Sequence, residues 1–261
     1  MTSPAQSIAL ASPTAREGLI HSFRMAPLAE ALAATFAPST CLVCARPLPW
    51  GDSRAGVCST CWSSRIAHPP ALCPHCGDPD ISEPGPCLSC RTDRPLWDAA
   101  TSYGPYLGAL RQLVLLLKHG RDELATPLAD LMREAFEAAR WPVPDMLVAV
   151  PMPWLRRIRR GYNHAGLLAA GVARRLGVPV GRGLRRRRGT RQVGKPRSSR
   201  LRLAASSFRA VGRVGGRVVL VDDVMTTGAT ARVCTLALQR AGATEVYVLT
   251  LARTPLAGRF A

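Results

Sequence analysis

Eight cysteines arranged as four C-x2-C pairs constrain this chain more than any other feature of its sequence. They stand at Cys41 and Cys44, Cys58 and Cys61, Cys73 and Cys76, and Cys87 and Cys90. A C-x2-C turn aims two sulfurs at one point, and two such turns complete a tetrahedron of thiolates. A sulfur-only set favours zinc. With no position left for water, two such centres are structural rather than catalytic. The competing reading, a disulfide framework, belongs to secreted chains. Residues 1–18 lack the basic stretch and apolar core of a secretory signal, so the expected compartment is cytoplasmic. Sequential grouping of the pairs gives two consecutive zinc ribbons and is favoured over interleaving, although spacing alone leaves both open. Few aliphatic residues lie among these cysteines, so folding of the module should depend on metal. His68 and His75 are surplus to two complete tetrads, and His75, inside a C-x2-C turn, is expected to be exposed. The ninth cysteine, Cys234, reads as a buried apolar residue.

Three regions follow from the pattern. Residues 1–38 are rich in Ala, Ser and Pro and read as a flexible leader with one short helix over 26–36. Residues 39–95 are the double ribbon. Residues 96–261 alternate strand-like and helix-like runs, which argues for an α/β domain with a mostly parallel sheet covered on both faces. Strands are expected at 99–102, 147–150, 218–221 and 246–251, and helices at 107–118, 165–176 and 229–241, with Leu128, Leu131, Met132 and Ala135 at helical spacing. Residues 181–207 have weak apolar periodicity and many arginines, the mark of a long functional loop or flap. No run approaches the roughly 18 apolar residues of a membrane span, so no membrane partner is expected.

The net charge of +18 arises from 35 basic and 17 acidic residues. Between Met146 and Val221 there are 19 Arg or Lys and no Asp or Glu, which leaves the remainder nearly neutral. A base-rich stretch without acids points to an anionic partner, either a polyphosphate ligand or nucleic acid.

The most informative line runs from Val218 to Thr230: VVLVDDVMTTGAT. An aliphatic strand delivers Asp222 and Asp223 to its carboxyl edge, where ligands bind in open α/β sheets. A Thr/Gly turn then opens into a helix. Its first amides, with the hydroxyls of Thr226, Thr227 and Thr230, form a cradle for a phosphate, and Gly228 permits close approach. The carboxylates suit sugar hydroxyls. A Walker loop is excluded, because no Lys follows the glycine.

This line resembles the 5-phosphoribosyl-1-pyrophosphate signature of type I phosphoribosyltransferases. Together with the cysteine array it is similar to the ComF family (competence protein F), in which a zinc ribbon precedes such a domain. The likeness runs from about Cys41 to Arg253. It also includes Lys118 with Gly120, the Val150-Pro-Met-Pro stretch, Arg160-Gly161-Tyr162-Asn163, Thr190, Gln192, Arg200 and Phe208. The resemblance implies that Asp222 and Asp223 hold the ribose hydroxyls. It assigns the 5-phosphate to Met225, Thr226, Thr227, Gly228, Ala229 and Thr230. It assigns the pyrophosphate to Pro151, Met152, Arg160, Arg187, Arg200 and Lys118, and makes 181–207 a hood over the site. The chain departs from the family at His164, where Gln is usual, and at Leu203, where Asn is common.

Two function classes follow. The first is a phosphoribosyltransferase that uses magnesium with the substrate diphosphate and an unknown acceptor. Thr226 stands where purine-salvage relatives carry a carboxylate base, which argues against 6-oxopurine transfer. His119 and His164 are the titratable candidates nearby, read first as hydrogen-bonding residues. The second class is a non-catalytic adaptor for DNA uptake that binds single-stranded DNA and a competence helicase. The arginine-rich stretch contains only Trp154, Tyr162 and Phe208 as aromatics, poor material for a base-stacking platform.

Overall fold

The cysteine-rich stretch forms two small units, and the described residues after them form a five-stranded sheet with helices on both faces and a separate two-stranded sheet. The computed structural model describes residues 40–48, 53–69, 71–79, 85–186 and 208–254, with the side chains of Leu155, Arg156 and Arg159 left out. The expected leader, its helix at 26–36 and hood residues 187–207, including Arg187 and Arg200, lie outside the described residues. All described residues belong to one compact unit, Ser39–Ala261.

The first cysteine unit carries a hairpin of β1 (Ser53–Arg54) and β2 (Val57–Cys58), followed by helix α1 (Ser59–Ser63). The hairpin closes on Ala55 and Gly56, both at positive φ (53° and 75°), the turn geometry that matches strand twist. The second unit ends in α2 (Leu88–Thr92). The α/β part then runs β3 (Ala99–Pro105), α3 (Gly108–Lys118), α4 (Ala125–Ala138), β4 (Met146–Ala149), α5 (Trp154–Arg160) and α6 (His164–Leu176). It continues with β5 (Val180–Gly181), β6 (Leu184–Arg186), β7 (Phe208–Ala210), β8 (Gly216–Met225), α7 (Ala229–Arg240) and β9 (Ala243–Arg253).

Strands β3, β9, β8, β4 and β5 lie side by side in that order, and every pairing is parallel. The chain moves outward from β4 to β5 and then returns to the other side of β4 with β8. The gap beyond the carboxyl ends of β4 and β8 is therefore a topological switch point, the usual place for a ligand in such sheets. Strand β8 extends past the expected 218–221 in both directions, so Asp222 and Asp223 are strand residues and Met225 is its last. Side chains alternate by strict pleat. Val219, Val221, Leu249 and Leu251 face α3, α4 and α6, whereas Val218, Leu220, Val246 and Val248 face α7. Part of the expected loop 181–207 is ordered: β6 pairs antiparallel with β7, and Leu184 and Phe208 join the core on the α7 face. Among the described residues no helix is long and apolar enough to cross a membrane.

Candidate functional site

The eight paired cysteines gather sequentially, Cys41 with Cys44, Cys58 and Cys61, and Cys73 with Cys76, Cys87 and Cys90. All are free thiols, and within each quartet the sulfurs lie within 4.8 Å of one another. Four sulfurs bound at about 2.3 Å to one ion stand roughly 3.8 Å apart. The Cys44–Cys58 and Cys76–Cys87 sulfur separations of 3.9 and 3.6 Å fit that tetrahedron. The two quartets repeat one local geometry. Ala45 N–H donates to Cys41 O and Gly77 N–H to Cys73 O, each at 2.8 Å, closing the knuckle. Cys58 N–H and Cys87 N–H donate to the Cys41 and Cys73 sulfurs at 3.4 and 3.3 Å. Burial works against a thiolate at Cys41, but the N–H groups of Cys58, Cys44 and Val43 outweigh it and bring the thiol down to about 6. Neither His68 nor His75 joins a quartet. His68 lies 2.9 Å from Ser102 Oγ instead. His75 is half-buried rather than exposed, and its carbonyl accepts a bond from Trp97 Nε1 at 2.7 Å.

At the other end of the chain, the turn after β8 is shaped by Gly228. Its φ of +74° is left-handed, a conformation that favours glycine. Gly228 also has no side chain to cap α7, and the first amides of a helix have no carbonyl partners within it. The hydroxyl-bearing Thr226, Thr227 and Thr230 are exposed at its mouth. Asp222, Val150 and the 225–231 turn line a hollow of about 60 Å³. Val150 N–H donates to Val221 O at 2.8 Å, so the end of β4 is held against β8 beside that hollow. Negative charge suits this place, a helix start with a hydroxyl fringe, where Ala229 N–H makes only a long bond of 3.4 Å to Thr227 Oγ1.

The pleat sends the two aspartates to opposite faces. Asp222 faces the hollow. Asp223 turns toward α3 and α6, where its carboxylate lies 2.9 Å from Lys118 Nζ and 2.5 Å from His164 Nε2. Burial opposes ionisation of Asp223, yet the His164 bond and the Lys118 ammonium outweigh it and hold the carboxyl below the usual carboxylate range. Burial, and then the charge of Asp223, push Asp222 up to about 7.

The Arg160–Asn163 motif explains how His164 arrives there. Gly161 ends α5 in the left-handed region at φ +78°. Tyr162 hydroxyl then donates to Leu117 O at 2.6 Å, tying this turn to the residue before Lys118. The Asn163 amide donates to Val150 O at 3.1 Å, and His164 follows as the first residue of α6. Lys118 is thus placed on Asp223. Pro151, Met152 and Arg160 do not line the hollow. Cys234 is fully buried on α7. Two contributions escaped the sequence reading. His164 stood out as a departure from Gln and as a titratable, hydrogen-bonding candidate, but its partner Asp223 was not foreseen, although the place of His164 just after Asn163 was the signal. Trp97, just past the 95/96 boundary, was given no role, although a lone Trp between a cysteine module and a strand is itself a clue to packing.

No family model matches the chain. The DNA utilization protein YhgH of Salmonella typhi is 35% identical over 225 residues, covering 83% of this chain and 98% of that protein. Competence protein F of Haemophilus influenzae is 31% identical over 217 residues, covering 77% and 92%. Among solved structures, a glutamine phosphoribosylpyrophosphate amidotransferase from B. subtilis aligns at 27% identity with a TM-score of 0.36, over 48% of this chain and 26% of that one. A purine phosphoribosyltransferase from Pyrococcus horikoshii aligns at 19% identity and TM-score 0.27, over 52% and 75%. The near full-length identity to YhgH and to competence protein F makes this chain a member of the ComF family.

Proposed function

We propose that this protein is a cytoplasmic phosphoribosyltransferase that binds magnesium 5-phosphoribosyl-1-pyrophosphate at the carboxyl edge of β8, with a zinc ion in each cysteine quartet. One observation carries the reading. At a single switch point the chain offers a carboxylate for a sugar hydroxyl and, within one turn, an amide-and-hydroxyl cradle for a phosphate. Asp222 would take a ribose hydroxyl directly, and Asp223 would join it by exchanging a contact with Lys118 or His164. Residues 225–230 would hold the 5-phosphate. Lys118, Pro151, Met152 and Arg160, with Arg187 and Arg200, would face the pyrophosphate.

The reaction is a displacement at the ribose C1. The C1–O bond breaks and both electrons leave with the pyrophosphate oxygen; a lone pair of the acceptor forms the new C1 bond, and the acceptor's proton passes to solvent. The protein's share is to orient the sugar and to neutralise charge on the departing group. Magnesium, when bound with the diphosphate, adds to that neutralisation. Apart from the two cysteine quartets, no group of three or more metal-ligating side chains occurs among the described residues. Asp222, the carboxylate that lines the hollow, would be the side chain available to a magnesium ion. The test is pyrophosphate release from the purified protein, with and without candidate amines and nucleobases. Release that depends on an acceptor supports transfer, and no release under any condition removes it.

A second reading has its own support. The relatives' names refer to DNA utilization and competence, and 19 bases without an acid suit a polyanion. A non-catalytic adaptor for single-stranded DNA and a helicase would bind DNA with steep salt dependence, about 0.7 log units per log unit of salt for each phosphate contacted. Magnesium phosphoribosyl pyrophosphate would fail to displace that DNA.

A further inference from the structure

The second cysteine quartet and the turn after β8 are joined through Trp97. The indole is buried, 6% exposed, and belongs to the core on the α7 face. Its Nε1 donates to the carbonyl of His75, which lies between Cys73 and Cys76. The far edge of the same ring closes against Gly228: a Cβ there would stand 2.8 Å from Trp97 Cη2. One rigid side chain therefore spans from a cysteine knuckle to the glycine that shapes the turn.

Further contacts run in parallel. Both nitrogens of the Arg232 fork lie 3.1 Å from the two oxygens of Asp93, just after α2. Arg232 N–H in turn donates to Gly228 O at 2.8 Å. Gln239 Nε2 donates to Leu96 O at 2.9 Å. Gly77, next to Cys76, backs onto Ala100 O of β3 so closely that a Cβ would stand 2.7 Å away. Among the described residues, the buried cluster around this quartet consists of its four cysteines alone. With so little apolar material, order in this unit has to come from a bound metal.

We infer that the second quartet is a metal-dependent buttress of the turn at 225–230, and that Trp97 is the positioning residue that links the two. Loss of metal from this quartet frees the His75 carbonyl, loosens Trp97 beneath Gly228 and weakens binding of a phosphorylated sugar, while the sheet stays folded. The affinity part of this inference rests on the turn being the phosphate site proposed above; the ordering of the turn does not.

The test is a cycle on the full-length, zinc-loaded protein: wild type, Cys76→Ser, Trp97→Phe and the double variant. Phe removes the indole N–H and the outer ring edge that meets Gly228, so it cuts the link at both ends. Two readouts are taken, hydrogen exchange of amides 226–231 and calorimetric titration with magnesium phosphoribosyl pyrophosphate, with zinc content measured on each sample. In Cys76→Ser, exchange at 226–231 should rise about tenfold or more while 218–221 stay protected, and affinity should fall by a similar factor. In the Trp97→Phe background the same cysteine change should add only about twofold, because the link is already cut; such non-additivity is the signature of coupling. A merely structural tryptophan would give additive effects, which would overturn the inference, as would unchanged exchange at 226–231 in a Cys76→Ser protein shown to have lost one zinc. Should Cys76→Ser fail to fold, Trp97→Phe alone decides: raised exchange at 226–231 supports the link and unchanged exchange ends it. If wild type does not bind the ligand yet its turn responds to the quartet, the coupling stands and the functional reading falls.

Discussion

The two cysteine quartets share their knuckles, their N–H···S bonds and the short helix after the third cysteine, yet they are embedded differently. The first is part of the main core. Val57 and Trp62 lie in the same apolar cluster as Leu110, Leu113, Leu128 and Leu131, Trp62 Nε1 donates to Arg54 O at 2.8 Å, and Arg54 reaches Asp130 on α4 at 2.5 Å. The first ribbon therefore has no core of its own. The second quartet touches the rest through polar ties and the Trp97 ring. Identical local chemistry is therefore used in two settings: one quartet completes a hydrophobic core and the other is tied through Trp97 to the turn that opens α7. The difference lies in how the apolar residues among and beside the cysteines are placed: Val57 and Trp62 are buried in the first, whereas Leu88 of the second is 80% exposed.

Removing the first quartet should break the molecule most. Cys58→Ser should unfold α3 and α4 along with the ribbon, since structural zinc sites are worth roughly 10–16 kcal/mol in apparent terms and whole domains only about 5–15 kcal/mol. Circular dichroism of the variant at 25 °C checks this. A cooperative transition at the wild-type temperature would mean that the first quartet is as peripheral as the second.

Next in size is Asp223→Asn. It strips the shared partner from Lys118 and His164, and removing one member of a buried ion pair typically costs about 3–5 kcal/mol. Urea unfolding at pH 7.5 measures it. A loss below about 1 kcal/mol would show that Asp223 is held by neither.

A smaller effect separates the two aspartates by pH. Asp222 has its folded pKa raised to about 7, so its contribution to stability is fullest at low pH and is lost as pH rises through 7. Asp223 is depressed, so its contribution is present above the ordinary carboxylate range and is lost as pH falls. In the proposed site Asp222 accepts from the sugar, so ligand binding should strengthen between pH 6 and pH 8, and Asp222→Asn should flatten that part of the profile. An unchanged profile in the variant would assign the dependence to the ligand's own phosphates.

The smallest change sharpens the comparison at its edge. The Arg232–Asp93 pair is exposed, with Asp93 at 73%, so Arg232→Ala should cost less than about 1 kcal/mol of stability. Thermal unfolding measures it, and a larger loss would make the polar ties, rather than Trp97, the main attachment of the second quartet.

Much of this was legible in the sequence because it is written locally. The C-x2-C spacing, the aliphatic run into Asp222 and the Thr/Gly turn each depend on residues within a few positions of one another. The sequence also favoured the sequential grouping that the quartets adopt. What it could not carry were contacts between distant positions: Trp97 with His75 and Gly228, or Lys118 with Asp223 and His164. Strand periodicity could have separated the two aspartates, had β8 been read through to Met225 instead of stopping at Val221. Helix α5 was missed because Trp154–Arg160 has too few apolar positions to register as periodic. Gly228 was singled out for room near a phosphate; its left-handed φ and the ring of Trp97 are additional reasons, and only the folded chain reveals them.

The proposed function stands or falls with binding of the phosphate of a phosphoribosyl ligand at the turn opening α7. Calorimetric titration of magnesium phosphoribosyl pyrophosphate into wild type and Gly228→Val tests it most directly. A valine Cβ would meet Trp97 at 2.8 Å and would have to adopt a left-handed φ that β-branched residues avoid. The account predicts saturable binding to wild type and none measurable to the variant, with zinc content equal in both. Wild-type affinity in Gly228→Val, or no binding to either protein, would contradict it.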